Sequence, residues 1–401
     1  MRVLLTCQTA TNKGDRAIAE YLISKIMQKG HQVTLSTTRP ELWDSAKEQN
    51  VRVIGVGYKS LCKNIKNRII KKCVYAFEKL VYNKMLFSSL MSSNNNHIFC
   101  NMISGKFIEE IKSADLVIVT GGHHITSIRE KNALFHVTYD IGLISLYAKK
   151  YVLWSQTIGP LEFTSNKAKT FFGNVIKNAD KVYIRDENSA DCINNLYGMT
   201  TNIIKTYDSV FGFGDLVFNE ISQREKKVGI AIFDGLKKAF DTYKVIAKTL
   251  DYYAEKGYEI EFFRMEYNDL ELSNINKIIG MMSKKSNIKI YPFLTPTRHH
   301  LEEVSSCRYF IGYKTHSVIM ALTTATPLIA IAYHVKTNDF MKDYGLEQYA
   351  VSDDKIEFDD VLKKIITLEN QMDNIYENQK KRSYEIACKV ENDLLEILEN
   401  E

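Results

Sequence analysis

The chain has 401 residues, more than one ordinary hydrophobic core supports, so two domains of roughly 200 residues each are expected. Hydrophobic residues at 45% and charged residues at 25% exclude a largely disordered chain, and 5 prolines with 19 glycines exclude a collagen-like or proline-rich one. The net charge of +5 is too weak for a dedicated nucleic-acid binder, and we therefore expect no nucleic-acid partner.

The 7 cysteines are scattered without a Cys-x-x-Cys pair, a pattern that predicts reduced thiols and a cytoplasmic protein. No short cluster of cysteine and histidine has the spacing of a metal site, and we expect no metal. The apolar run at residues 3–5 is too short for a signal peptide, and no stretch of 18 apolar residues predicts a membrane span.

Short apolar runs alternate with helical periodicity along the whole chain. This alternation is typical of α/β folds with doubly wound parallel sheets. We predict an N-terminal Rossmann-like domain at 1–218, a C-terminal one at 219–375 and a C-terminal helix at 376–401. Ligands of such sheets bind at the carboxyl ends of the strands, so a cleft faced by both sheets is the expected site. Predicted strands cover residues 2–6, 32–36, 51–56, 116–120, 151–156, 181–184, 228–233, 258–263, 289–292, 309–312, 328–333 and 349–352.

Two predicted strand ends in the first half carry polar or glycine residues. Asn12 and Asp15 follow the first strand, where a helix N-terminus favours anions, although Asp15 as a simple helix cap is an equal alternative. After the strand at 116–120 the polar and glycine residues are Gly121, Gly122, His123 and His124. The glycines suit tight packing, and each histidine is a candidate ligand contact.

Arg185 directly follows an apolar strand, and its planar fork of donors suits a carboxylate or phosphate. The alternative is a surface ion pair with Asp186 or Glu187. In the second half, a cation, two hydroxyls and an imidazole end a buried strand just before an apolar helix, at Lys314, Thr315, His316 and Ser317. Such a group suits anion binding and proton transfer. Tyr333, His334 and Lys336 follow the next strand.

Taken in order, these loops resemble the polysaccharide pyruvyl transferase family over residues 1–352. The separated motifs that carry the resemblance are Asn12-x-Gly14-Asp15, the strand from Ala114 ending at Gly121-Gly122, Gln156-Thr157-Ile158-Gly159-Pro160, Ile184-Arg185-Asp186-x-x-Ser189, Asp208 before Phe211, the His316 motif, and Pro327 through Tyr333 to Lys336.

The resemblance implies a fold like that of the glycosyltransferase-B class. It also implies phosphoenolpyruvate as the donor, with no further cofactor. The implied acceptor is a sugar of a cell-surface glycan or its lipid-linked precursor. Arg185 and His316 match family positions expected to hold the donor, and Asp15 matches the acidic residue of the first loop. This chain departs from the usual Arg-x-His motif, because it has Lys314 in place of the arginine.

The implied chemistry forms a ketal, which requires a proton at the donor's methylene carbon and the loss of protons from the acceptor hydroxyls. On this hypothesis His316 is the acid, and Asp15 polarises or deprotonates the sugar hydroxyl. Arg185, Lys314 and Lys336 would hold the donor's carboxylate and phosphate, beside the loops at 121–122 and 315–317. Asn12, His123 and His124 would contact the acceptor.

Residues 59–84 concentrate the positive charge of the chain. Eight cations against one acid, Glu78, give 8 − 1 = +7, so the other residues sum to 5 − 7 = −2. Apolar residues recur through this window at helical spacing and continue to residue 87. A basic amphipathic helix over 59–87 favours contact with an anionic membrane at the inner face of the plasma membrane. An insertion helix with a solvated basic face is the alternative.

Two other functions remain open at this level. A nucleotide-sugar-dependent glycosyltransferase or epimerase of similar fold would need ribose contacts in the second domain, for which Glu302 and Glu303 are the candidates. A non-catalytic relative is favoured by Lys314 in place of arginine. The presence of Asp15, Arg185 and His316 argues against it.

Overall fold

The computed structural model describes residues 1–7, 11–62, 65–91, 98–128, 135–198, 202–216, 218–233, 239–333 and 335–399. The chain divides into two compact units. The first unit comprises Met1–Ala10 and Leu22–Asp208, and the second comprises Thr11–Tyr21 and Ser209–Glu401. The chain thus enters the second unit briefly near its start and returns to it after Asp208, before the predicted division at residue 218.

The first unit is built on a parallel sheet. Its strands are β1 (Arg2–Cys7), β2 (Gln32–Thr37), β3 (Arg52–Gly55), β4 (Leu116–Val119), β5 (Gly122–Ile125), β6 (Tyr151–Ile158), β7 (Lys181–Ile184) and β8 (Ile203–Lys205). They lie in the order β3-β2-β1-β4-β6-β7-β8, with β5 paired to β6. Every residue of β4 and β6 is buried, as expected of central strands covered by helices on both faces.

Helices connect these strands. They are α1 (Lys13–Gln28), whose first residues belong to the second unit, α2 (Asp44–Glu48), α3 (Arg68–Met91), α4 (Ile98–Ser113), α5 (Phe135–Tyr147), α6 (Asn166–Lys177) and α7 (Glu187–Tyr197). The Ser165 side chain caps α6, and Gly198 ends α7 with a φ of 62°.

The second unit is built on another parallel sheet. Its strands are β9 (Glu225–Ala231), β10 (Glu259–Phe263), β11 (Ile288–Tyr291), β12 (Cys307–Gly312), β13 (Leu328–Ala332) and β14 (Ala350–Ser352), in the order β11-β10-β9-β12-β13-β14. Its helices are α8 (Ala239–Glu255), α9 (Asp269–Met281), α10 (Thr297–Ser306), α11 (Thr315–Thr323), α12 (Val335–Asp343), α13 (Phe358–Asn370) and α14 (Met372–Glu399).

The predicted fold class is confirmed, since both sheets are parallel and both alternate with helices. Two short strands, β5 and β8, were not expected from the sequence. β5 begins at Gly122, where the paired glycines predict a turn. Within the described part of the chain, no helix has the combined length and apolarity needed to cross a bilayer.

Candidate functional site

The loop that precedes α1 is organised by Asn12. The Asn12 side-chain oxygen accepts hydrogen bonds from the backbone nitrogens of Gly14, at 2.9 Å, and Asp15, at 3.2 Å. Asn12 is therefore the cap of α1, and the alternative that Asp15 caps this helix is wrong. Asp15 lies half-buried in the first turn, where a carboxylate suits the positive end of the helix dipole.

This loop is attached to the loop that follows β10. The backbone nitrogen of Lys13 donates to the carbonyl of Met265 at 2.9 Å, and the side-chain nitrogen of Asn12 donates to Oε1 of Glu266 at 2.9 Å. The buried Glu271 accepts from the backbone nitrogens of Met265, at 2.7 Å, and Glu266, at 3.1 Å. Burial raises the pKa of Glu271 to about 7. Glu271 thereby positions the backbone from which the Glu266 side chain extends.

Lys314 is the residue before α11, at the carboxyl end of β12, and its ammonium group forms an ion pair with the carboxylate of Glu266. Their side chains are only 9% and 18% exposed. Glu266 is absent from the predicted site. It comes three residues after β10, and the same rule that selected the other strand ends would have found it.

His316 lies in the first turn of α11, and its imidazole ring packs against Gly14 in the first turn of α1. A Cβ atom at position 14 would lie 2.0 Å from Cγ of this ring, so only glycine fits there. The first turns of α1 and α11 therefore meet within the second unit. We call Asn12, Glu266, Lys314 and His316 the Lys314 cluster.

The neighbours of Lys314 and His316 in sequence have local contacts. The buried Ser317 hydroxyl donates to the Lys314 carbonyl at 2.7 Å, which stabilises the start of α11. The Thr315 hydroxyl donates to the Tyr333 hydroxyl at 3.3 Å. Lys336 is half-buried in the first turn of α12, and the predicted contact His334 lies outside the described residues.

Lys13 is a further buried cation that the sequence did not single out. Its ammonium group donates to the carbonyl of Phe293 at 3.1 Å and also to that of Thr295. Burial lowers the pKa of Lys13 to about 8, and the charges of Glu20 and Arg16 oppose and assist this shift respectively. A lysine in the first turn of a helix is usually solvated, so nothing in the sequence indicated that Lys13 is buried.

In the first unit, Arg185 follows β7 and forms an ion pair with Asp208 through Nη1, while its Nε donates to the hydroxyl of Thr157 at 3.0 Å. The two charged side chains are 7% and 0% exposed. The predicted alternative of a surface pair is wrong. Asp186 instead caps α7 by accepting from the backbone of Ser189 at 2.9 Å. Glu187 pairs with Lys205.

The residues at 121–124 make mainly structural contacts. A Cβ atom on Gly121 would lie 2.4 Å from the carbonyl oxygen of Ser155, so this glycine lets two backbones pack directly. His123 donates through Nε2 to the carbonyl of Gly159 at 2.7 Å and fixes the loop that ends β6. His124 lines a small cavity together with Gln156 and others.

Each unit thus presents a cation held by a carboxylate at the carboxyl end of its sheet. In the second unit, an imidazole and two helix N-terminal turns join that cation. This arrangement suits binding of an anion and transfer of a proton. Among the described residues, no group of three or more histidine, cysteine or acidic side chains has the geometry of a metal site.

The model of the polysaccharide pyruvyl transferase family matches residues 12–335. No curated protein sequence matches the chain.

Solved structures resemble the whole chain. A glycosyltransferase from Rickettsia africae has a TM-score of 0.57 at 11% identity and covers 100% of this chain and 99% of its own. The calicheamicin glycosyltransferase CalG4 has a TM-score of 0.54 at 11% identity, with 99% and 97% covered. MurG of Acinetobacter baumannii has a TM-score of 0.52 at 13% identity, with 98% and 99% covered. At such low identity these likenesses show the fold alone, which is of the glycosyltransferase-B class.

Proposed function

The chain belongs to the polysaccharide pyruvyl transferase family, and from this premise we propose that it moves a pyruvyl group from phosphoenolpyruvate to a sugar. The sugar belongs to a cell-surface polysaccharide or its lipid-linked precursor, and the product is a ketal. The proposed place of reaction is the inner face of the plasma membrane, where the protein is peripheral. No cofactor takes part in this proposal.

The observation that carries the proposal is the meeting of α1 and α11 at Gly14 and His316. It places an imidazole, two helix N-terminal turns and the Lys314 ammonium group within one unit. Phosphoenolpyruvate carries a carboxylate and a phosphate, and positive helix ends and cations stabilise both groups. Two helix N-terminal turns that meet beside a lysine and an imidazole suit an anionic donor better than a neutral sugar ring alone.

The proposed reaction needs one proton delivered and two removed. His316 donates a proton to the methylene carbon of phosphoenolpyruvate, which makes the neighbouring carbon electrophilic. Two acceptor hydroxyls then form bonds to that carbon, the bond to the phosphate oxygen breaks, and inorganic phosphate leaves. The hydroxyls lose two protons, one of which replaces the proton given by His316 while the other leaves with phosphate. Asp15 polarises the first hydroxyl that attacks.

The binding roles are divided by unit. In the second unit, Lys314 and Lys336 hold anionic groups of the donor, and Asn12 lies on the acceptor side. In the first unit, the Arg185 nitrogens Nε and Nη1 donate to Thr157 and Asp208. In this proposal its third nitrogen, Nη2, donates to an anionic group of the donor. The loop after β4 supports the site indirectly, through the close backbone packing that Gly121 and Gly122 allow and the contact of His123 with the loop after β6.

The test measures phosphate release from phosphoenolpyruvate with methyl glycosides of galactose, glucose and N-acetylmannosamine as acceptors. His316→Ala should lower turnover by at least about 100-fold, because general acid catalysis contributes that much. The matched control is His299→Ala, which changes an exposed histidine of α10 and should leave turnover unchanged.

Binding is tested separately by thermal shift. Phosphoenolpyruvate should raise the melting temperature of the wild type, and UDP- and dTDP-sugars should not. Near-normal turnover in His316→Ala, or stabilisation by nucleotide sugars alone, would contradict the proposal. The second of these outcomes would support the alternative of a nucleotide-sugar-dependent enzyme.

A further inference from the structure

Helix α3 buries Glu78 beside Tyr82 on its inward face and exposes aliphatic side chains on its outward face. Its inward face carries Glu78, which is buried and accepts hydrogen bonds from the Tyr58 hydroxyl at 2.8 Å and from the backbone of Leu61. Its outward face exposes Ile69 and Leu80, whose side chains are 74% and 68% exposed. A carboxylate inside and aliphatic side chains outside is the reverse of what a helix at a protein–water boundary stabilises.

Four exposed residues of α3 form one stripe. Positions 69, 73, 77 and 80 are three or four residues apart, so their side chains lie on one face of the helix. Among the side chains that the structure describes, fourteen large hydrophobic ones are exposed, and six of them lie between residues 61 and 80: Leu61, Ile69, Ile70, Tyr75, Phe77 and Leu80. Such concentration marks an interaction surface, since scattered exposed apolar residues are ordinary but contiguous ones are not.

Cations flank this stripe. Lys66, Arg68 and Lys72 are exposed beside it, and Glu78, the acid of the window 59–84, is turned into the protein. The surface therefore offers water an apolar stripe bordered by positive charge. We call Ile69, Cys73, Phe77 and Leu80, with these three cations, the α3 face.

We propose that the α3 face binds an anionic lipid surface, with the apolar stripe below the level of the headgroups and the cations among the lipid phosphates. Charge decides between occupants. A second copy of the chain packed through the same face would bring like charges together around a two-fold axis. Nucleic acid would match the cations but leaves Ile69 and Leu80 without a partner. Anionic lipid satisfies both parts of the surface.

This inference rests on the peripheral placement in the proposed function and names the surface responsible for it. Lipid binding is measured with neither donor nor acceptor present, so its failure is distinguishable from failure of the proposed reaction. The full-length protein is floated with vesicles of phosphatidylcholine containing phosphatidylglycerol, and with vesicles of phosphatidylcholine alone. The wild type should float with the anionic vesicles and lose most of this binding at high salt. The charge-reversal variant Lys66→Glu/Arg68→Glu/Lys72→Glu should bind at least about tenfold more weakly, since it replaces three basic residues near the lipid surface by acids.

A second variant separates insertion from simple charge attraction. Phe77→Ser/Leu80→Ser removes apolar area from residues that are already exposed, so the fold should melt as the wild type does while vesicle binding falls at least about tenfold. The matched control is Leu270→Ser, which removes an aliphatic side chain that is 53% exposed in the second unit and should float like the wild type.

Three results would overturn the proposal. The first is no flotation of the wild type with anionic vesicles. The second is flotation unchanged in both the charge-reversal and the serine variants. The third is a concentration-dependent dimer of the wild type in light scattering that Phe77→Ser/Leu80→Ser abolishes, which would assign the α3 face to a second copy.

Discussion

Arg185 in the first unit and Lys314 in the second make an instructive comparison. Both cations follow a strand of a parallel sheet, and both are paired with a carboxylate from elsewhere in their unit, Asp208 and Glu266 respectively. The carboxylates differ in burial. Asp208 is fully buried, whereas 18% of the Glu266 side chain is exposed. The first pair is part of the interior, and the second borders on solvent.

The chemical difference between the two cations deepens this contrast. A guanidinium group has several nitrogens, so Arg185 contacts Asp208 and Thr157 and still keeps donors for a ligand. A lysine concentrates its charge on one nitrogen, and Glu266 already neutralises that of Lys314. An anionic ligand must compete with Glu266 for Lys314. Where the family usually has arginine, lysine makes this cation more dependent on its internal partner.

The largest expected effect is on the buried pair. Asp208→Asn removes the countercharge of a buried guanidinium, and the free energy of unfolding should fall by about 4 kcal/mol. Glu266→Gln breaks the less buried pair but leaves an amide oxygen beside Lys314, so it should cost less, about 2 kcal/mol. Denaturant unfolding checks this, with the first unit's transition measured for Asp208→Asn and the second unit's transition measured for Glu266→Gln. Equal losses would remove the distinction between the pairs.

A smaller effect, dependent on pH, is expected at Lys13, a cation held by carbonyls instead of a carboxylate. Its pKa is about 8 in the folded protein against an ordinary 10.5, so the unfolded chain binds more protons between these values. Stability contributed by this site therefore rises with pH from about 8 to 10.5, by at most about 3 kcal/mol. Below pH 8 its contribution is constant.

The measurement compares melting temperatures of the wild type and Lys13→Met across pH 7 to 11. The difference in melting temperature between the wild type and the variant should change only above pH 8, in favour of the wild type. The other titrating groups are common to both proteins and do not affect this difference. Parallel curves over the whole range would mean that Lys13 is not buried as described.

The smallest effects concern the affinity for phosphoenolpyruvate, and they rest on the proposed function. Glu266→Gln should tighten binding about threefold by releasing Lys314, and Lys314→Arg should tighten it by a similar factor by supplying a second donor. Calorimetric titration measures both. Weaker binding in Glu266→Gln would show that Glu266 instead positions Lys314 for the ligand.

Much of the fold could be predicted because central parallel strands are apolar throughout. The runs at 116–120, 151–156 and 328–333 each correspond to an observed strand, with ends that differ by one or two residues. β5 could not be predicted in this way, because it begins at Gly122 and contains two histidines, and β8 has only three residues. Both are formed by pairing with a neighbouring strand, which periodicity does not encode.

The sequence identified Arg185, Lys314 and His316 as candidates but not the carboxylates that pair with the two cations. Arg185, Lys314 and His316 stand at strand ends, where position along the chain identifies them. The pairing of Arg185 with Asp208 and of Lys314 with Glu266 joins residues 23 and 48 positions apart. Such pairs depend on strand order and loop path, so charge along the sequence suggests nearer partners such as Asp186.

The early excursion of the chain has a practical consequence for protein production. Residues 11–21 belong to the second unit. There the Lys13 ammonium group donates hydrogen bonds to the carbonyls of Phe293 and Thr295. The Glu20 carboxylate accepts a hydrogen bond from the backbone nitrogen of Thr297 at 2.6 Å. A fragment that starts at residue 209 would leave these buried polar groups without their partners. The second unit is thus not a contiguous cloning fragment, and expressing it alone requires residues 11–21 as an added peptide or through a rearranged gene.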